Sequence, residues 1–192
     1  MRFVLDNSVV MRWLLQDGSD ERLGYARHVL DLLAQDGAQA VVPGIWALEA
    51  ANVLVKAQAR GLVAEARSAA FVGLLDDMAF STDTRTAERA LGDTLQLARR
   101  FKLSSYDASY LELALREGLP LATLDDALRA AMQQTGVALV EVRRDAARIG
   151  TRDADDARSD GQDERGLAGA GFVCQIVPLR TSGLRKQLLI QE

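Results

Sequence analysis

Short apolar runs alternate with amphipathic stretches through about the first 142 residues of this chain. Phe3-Val4-Leu5, with Val9-Val10 behind it, reads as a short buried strand running into a helix; Asp6 sits at the junction, and Trp13-Leu14-Leu15 continues the first turns. Gly18-Ser19-Asp20 breaks that pattern. From about Glu21 to Gln35, Leu23, Ala26, Val29-Leu30 and Leu33 recur three or four residues apart, the spacing of one helix face. Asp36-Gly37 closes it. Ala40-Val41-Val42-Pro43 predicts a second strand, and the next helix runs from near Ile45 to about Arg60, where Gly61 ends it. Another helix spans Ala64 to about Met78. Phe80-Ser81-Thr82 predicts a short strand, followed by a helix from about Thr86 to Phe101 with Leu91, Leu95 and Ala98 on one face. Ser104 and Ser105 are N-cap residue types for a helix from about Tyr106 to Glu117, which Gly118 closes. Leu119 to Leu124 is a third clear strand, Asp125-Asp126 opens a helix ending near Gly136, and Val137 to Val142 predicts a last strand.

Strands that alternate with helices argue an α/β fold with a central, mainly parallel sheet flanked by helices. This domain covers residues 1–142 and contains no internal repeat. The stretch 143–192 differs. From Arg143 to Gly171 it is rich in Arg, Asp, Ala and Gly with few large apolar residues, which predicts a solvated, flexible C-terminal extension. Phe172 to Pro178 and part of Leu184 to Ile190 are apolar enough to add a strand, dock or stay loose. Cys174 reads as an incidental small hydrophobe.

Composition narrows the chemistry. The net charge is -4, and all of it falls in residues 1–140, because residues 141–192 hold nine basic and nine acidic residues. No basic excess advertises nucleic-acid binding, so such an activity must rest on a local patch. One Cys excludes a disulfide framework and a Cys-rich zinc site. One His, His28, excludes multi-histidine metal sites and disfavours Ser-His-Asp or Cys-His catalysis; it sits on a mostly apolar helix and reads as structural. No apolar run approaches the ~20 residues that span a bilayer, and the start Met-Arg-Phe-Val-Leu-Asp is no signal peptide. The expectation is a cytoplasmic protein whose chemistry runs on carboxylates.

Topology places several of those carboxylates. In a parallel sheet, helices that follow strands start at the carboxyl edge, where ligands of such folds bind. Asp6 ends the first strand. Glu49 lies about one turn into the helix after Pro43. Asp107 is in the first turn of the helix that feeds the strand at Leu119, and Asp125 ends that strand. Asp107 and Asp125 alone would be explained by helix capping. Glu49, inside the apolar run Trp46-Ala47-Leu48-Glu49-Ala50-Ala51-Asn52-Val53-Leu54, is either snorkelling to solvent or paired in a site. Two carboxylates about 4 Å apart repel by roughly 4 kcal/mol at an effective dielectric near 20. Several together need a cation or raised pKa values. An all-oxygen donor set suits Mg²⁺ or Mn²⁺ and points to phosphodiester hydrolysis.

Four segments resemble the PIN-domain family and, within it, VapC-type toxin ribonucleases of type II toxin–antitoxin systems. They are Phe3-Val4-Leu5-Asp6-Asn7-Ser8-Val9, the Trp46–Leu54 run, Leu103-Ser104-Ser105-Tyr106-Asp107-Ala108-Ser109-Tyr110-Leu111-Glu112-Leu113-Ala114, and Pro120-Leu121-Ala122-Thr123-Leu124-Asp125-Asp126-Ala127-Leu128. The resemblance implies a domain that cleaves RNA with Mg²⁺ or Mn²⁺. Asp6 and Asp107 would be the main metal ligands, with Glu49 and Asp125 completing the cluster directly or through water. Asp126 competes with Asp125, whose place after the Thr-Leu pair favours it. Ser8 would hydrogen-bond Asp6 or a metal water, and Asn52 would orient the cluster or touch substrate. The resemblance also implies a cognate antitoxin whose C-terminal segment crosses the acidic site, a homodimer, and a chain ending near Val142; residues 143–192 depart from that pattern.

RNA needs positive charge. Arg12, Lys56, Arg60, Arg99, Arg100 and Lys102 are the candidates for holding phosphates beside the rim. Trp13, Trp46 and Tyr110 read as core. A phosphoaspartate enzyme is disfavoured because position 8 is Ser and no second acid lies near Asp6. A PIN-fold module that binds RNA or protein without cutting is the remaining alternative.

Overall fold

The computed structural model describes residues 1–78 and 80–141. The predicted extension 143–192 lies outside them. The elements are β1 (Arg2–Leu5), α1 (Asn7–Leu15), α2 (Asp20–Leu33), β2 (Gln39–Val42), α3 (Trp46–Ala59), α4 (Glu65–Asp77), β3 (Ser81–Thr82), α5 (Thr86–Arg89), a π-helical turn (Ala90–Thr94), α6 (Leu95–Phe101), α7 (Ser105–Glu117), β4 (Leu121–Ala122) and α8 (Asp126–Thr135).

The four strands form one parallel sheet in the order β3-β2-β1-β4. Val4 pairs with Val41 on one side and with Leu121 on the other. Side chains of a strand alternate between faces, and here each face has its own core. Phe3, Leu5, Val42 and Ala122 pack with residues of α1 to α4. Val4, Val41 and Leu121 pack with Tyr110, Leu111 and Ala114 of α7 and Leu128 and Met132 of α8. Burial on both faces is why the strands read as continuous apolar runs rather than alternating ones. Gly118 takes φ +62 at the end of α7 and returns its amide to the Ala114 and Leu115 carbonyls. That left-handed turn feeds the chain straight into β4.

Two expected elements differ. The helix expected over 86–101 is interrupted by the π-helical turn Ala90–Thr94. Leu91, expected on the inner face, lies within that turn and is 88% exposed. Of the strand expected over 137–142, the described residues 137–141 show a parallel bridge between Leu121 and Leu139. The bridge is closed by the Leu121 amide donating to the Ala138 carbonyl at 2.9 Å and the Val140 amide donating to the Leu121 carbonyl at 3.1 Å, while the Thr123 carbonyl accepts from Arg129 Nε at 2.9 Å. Val142 lies outside the described residues. His28 packs with a ring nitrogen 3.1 Å from the Glu141 carbonyl. Trp13 donates to the Ala26 carbonyl at 2.8 Å, and Trp46 meets Phe80 edge-on.

Candidate active site

The carboxyl ends of β1, β2 and β4 deliver their following segments to one rim. Asp6 leaves β1 in extended conformation and is the N-cap of α1, its carboxylate accepting from the Ser8 amide. It is only 3% exposed. Both the Ser8 and the Thr123 hydroxyls donate to its Oδ2, each at 2.5 Å. The same hydroxyls accept in turn, Ser8 Oγ from the Leu124 amide and Thr123 Oγ1 from the Asp125 amide, each at 3.0 Å. These bonds tie the β1–α1 corner to the β4–α8 corner and fix the Asp6 carboxyl. Burial pushes Asp6 above the ordinary carboxylate range, the two hydroxyls act against that, and the charge of Asp107 adds to it.

Glu49 sits in the first turn of α3, half-buried, with Oε2 accepting from the Tyr110 hydroxyl at 2.6 Å. Burial pushes its carboxyl up to about 7; the Tyr110 hydrogen bond opposes this, and the charges of Asp6 and Asp107 reinforce it. Asp107 occupies the first turn of α7, where Ser104 Oγ caps its amide at 3.0 Å and donates back to its Oδ2 at 2.6 Å. Asp6, Glu49 and Asp107, far apart in sequence, thus act on one another electrostatically.

Asp125 is the N-cap of α8, its Oδ1 accepting from the Leu128 amide at 2.7 Å. Its backbone joins the Thr123–Asp6 network, while its carboxylate serves the helix. Asp126 points elsewhere: it is 75% exposed and pairs with Arg22 at 2.6 Å. Ser8 touches Asp6. Asn52 is exposed on α3. Among the basic candidates, Arg12 is ion-paired with Asp17. Lys56, Arg60, Arg99, Arg100 and Lys102 are exposed, and the Arg100 guanidinium lies over the Phe101 ring. Sequence reasoning gave no role to Thr123 and placed Tyr110 in the core. Tyr110 is fully buried, yet its hydroxyl reaches Glu49. The signal for Thr123 was its place two residues before Asp125.

Carboxylates with hydroxyl support, and neither thiol nor imidazole, are the donors that Mg²⁺ or Mn²⁺ accepts. Asp6 carries the fit: it is a buried carboxylate on which the charge of another acid acts, rather than that of a cation. As placed, no three Asp, Glu, His or Cys side chains among the described residues form a group that could hold an ion. Glu49 is turned to Tyr110 and Asp107 to Ser104.

A family model for the PIN domain matches residues 3–132, a span that includes Asp6, Glu49, Asp107 and Asp125. The chain belongs to the PIN domain family. PIN domains are generally nucleases and typically depend on divalent metals. The crystal structure of PAE2754 from Pyrobaculum aerophilum is similar to this PIN domain at 25% identity, covering 68% of this chain and 87% of that one with a TM-score of 0.46. No curated protein matches the chain.

Proposed function

We propose that this PIN domain is a metal-dependent endoribonuclease that hydrolyses RNA phosphodiester bonds, acting as the toxin of a toxin–antitoxin pair. The observation that carries the reading is the buried Asp6 carboxylate at the carboxyl rim of the sheet, fixed by the Ser8 and Thr123 hydroxyls, with the charges of neighbouring acids acting on it and on Glu49. In this reading Asp6 and Asp107 hold Mg²⁺ or Mn²⁺, with Glu49 and Asp125 binding directly or through water. The ion, when bound, activates water and stabilises charge on the phosphate. Ser8 and Thr123 orient Asp6. Lys56, Arg99, Arg100 and Lys102 are exposed to hold RNA phosphates, whereas Arg12 would first have to leave Asp17. The family resemblance extends the proposal to products with a 5′-phosphate and a 3′-hydroxyl, to a homodimer, and to a basic antitoxin segment crossing the acids.

The test is cleavage of a mixed structured RNA pool by the purified chain with Mg²⁺, with Mn²⁺ and with EDTA, beside Asp6→Asn. Cutting that needs metal and that Asp6→Asn lacks is the expected result. An Asp6→Asn variant that cuts as fast as wild type sinks the site assignment. Growth arrest on expression of the chain, relieved by Asp6→Asn, is the expected sign of the toxin role.

A second reading, a PIN-fold module that binds RNA or protein without cutting, is favoured by one observation. Glu49 and Asp107 are already engaged by Tyr110 and Ser104. No metal binding at millimolar Mg²⁺ or Mn²⁺, with RNA still bound, would select it.

A further inference from the structure

We infer that Tyr110 is a positioning residue for the acidic rim: its buried phenol, donating from α7 to α3, fixes the Glu49 carboxylate at the rim, within reach of the charges of Asp107 and Asp6. This rests on the nuclease reading above and adds to it a residue outside the acidic set.

The geometry is specific. Tyr110 follows Asp107 by three residues on α7, so the two lie on one helix face. Asp107 is part-exposed at the rim, while Tyr110 is fully buried beneath it. The Tyr110 hydroxyl donates to Glu49 Oε2 at 2.6 Å, across 61 residues of sequence. A carboxylate can only accept, so the phenol proton makes this bond. One side chain thereby joins α3, which carries Glu49, to α7, which carries Asp107.

The bond also divides the work of the carboxylate. It occupies Oε2 and is the sole side-chain hydrogen bond of Glu49 among the described residues, which leaves Oε1 for an ion or an ordered water. A ligand held in this way keeps its orientation, and partners that hold metal ligands typically matter about 10–100-fold for metal affinity. A tyrosine needed only for packing would have no use for a hydroxyl directed at a rim acid.

The test uses the full chain and Mn²⁺ alone as the probe, with affinity read by calorimetry or by the Mn²⁺ spin-resonance signal. Tyr110→Phe keeps the ring and removes the hydroxyl. It is expected to weaken Mn²⁺ binding about tenfold and to lower kcat for RNA cleavage more than it raises KM. In a Glu49→Gln background the same substitution is expected to change Mn²⁺ affinity no further. Wild-type affinity in a folded Tyr110→Phe, or an equal loss with and without Glu49, overturns the inference, even where the melting temperature falls. Should Tyr110→Phe fail to fold, 3-fluorotyrosine placed at position 110 makes the test, because it keeps the ring and the hydroxyl and alters only how strongly the phenol donates. A change in Mn²⁺ affinity that Glu49→Gln abolishes supports the inference, and unchanged affinity overturns it. A wild-type chain that neither binds millimolar Mn²⁺ nor cuts RNA removes the nuclease reading and this inference together. A wild type that binds and cuts beside an unaltered Tyr110→Phe removes this inference alone.

Discussion

Helix α7 carries two groups of acids whose charge is settled in opposite ways. Near its start, Asp107 shares the rim with Asp6 and Glu49, and its charge pushes both of their carboxyls up. Near its end, Glu112 and Glu117 meet Asp83, and Arg116 stands among them. Its Nε reaches Glu112 at 2.9 Å, one terminal nitrogen reaches Asp83 at 2.9 Å, and the other reaches Glu117 at 2.7 Å. The Asp83 and Glu112 side chains are only 9% and 6% exposed. Burial alone would push Asp83 up, but the Thr86 hydroxyl, the Arg85 amide and Arg116 outweigh it and hold the carboxyl below its ordinary range. The second group is complete in itself, because it brings its own cation. The first has hydroxyl donors and a phenol but, among the described residues, no such partner, and that is the physical ground for expecting an ion there.

The largest effect expected from breaking this contrast is at the complete end. Arg116→Met should cost about 3–5 kcal/mol, because it leaves two buried carboxylates without their cation. Urea unfolding measures it, and a cost below about 1 kcal/mol would mean that Asp83 and Glu112 find other donors.

Next in size is the pH dependence, and its sign differs between the two ends. Glu49 is raised from 4.5 to about 7 in the folded chain. Its contribution to stability is therefore fully present below pH 4.5 and is lost as pH rises to about 7. Asp83 is lowered from 3.8, so its contribution is present above that value and disappears as pH falls through its lower folded one. Urea midpoints measured in EDTA should fall between pH 4.5 and 7, and Glu49→Gln should flatten that descent. A wild-type profile that is flat over the window contradicts the burial of Glu49 as a raised acid. The smallest effect belongs to Asp126→Asn, which breaks an exposed pair with Arg22 and should shift stability by less than about 0.5 kcal/mol. Unchanged RNA cleavage in that variant would leave Asp125 as the fourth acid.

The rim was legible in sequence because strand ends and helix starts announce themselves. Asp6 closes an apolar triplet, Asp107 follows the capping Ser104, and Asp125 precedes an amphipathic helix. Glu49 stood out as a charge in an apolar run. The hidden features depend on contacts between distant residues of ordinary type. Asp83 lies in the polar run Thr82-Asp83-Thr84-Arg85-Thr86, which reads as a turn, and nothing local says that Arg116 will reach it across 33 residues. Tyr110 looks like core because it is core; only its last atom belongs to the site. Leu91 and Leu95 keep helical spacing in the sequence, yet the chain forms a π-helical turn over Ala90–Thr94 and Leu91 lies at the surface. The last expected strand has suitable apolar residues, and among the described ones it is joined to β4 by the bridge from Leu139 to Leu121.

The central claim is that the Asp6 rim takes a divalent cation, because no described basic side chain pairs with its acids. Thermal unfolding with increasing MnCl₂, matched for ionic strength with NaCl, tests it directly in wild type and Asp6→Asn. An ion that binds only the folded chain stabilises it by about 2.7 kcal/mol at a hundred times its dissociation constant. The expected result is a melting temperature that climbs by several degrees with millimolar Mn²⁺ in wild type and stays level in Asp6→Asn. A level wild type, or an equal climb in both proteins, would contradict the claim.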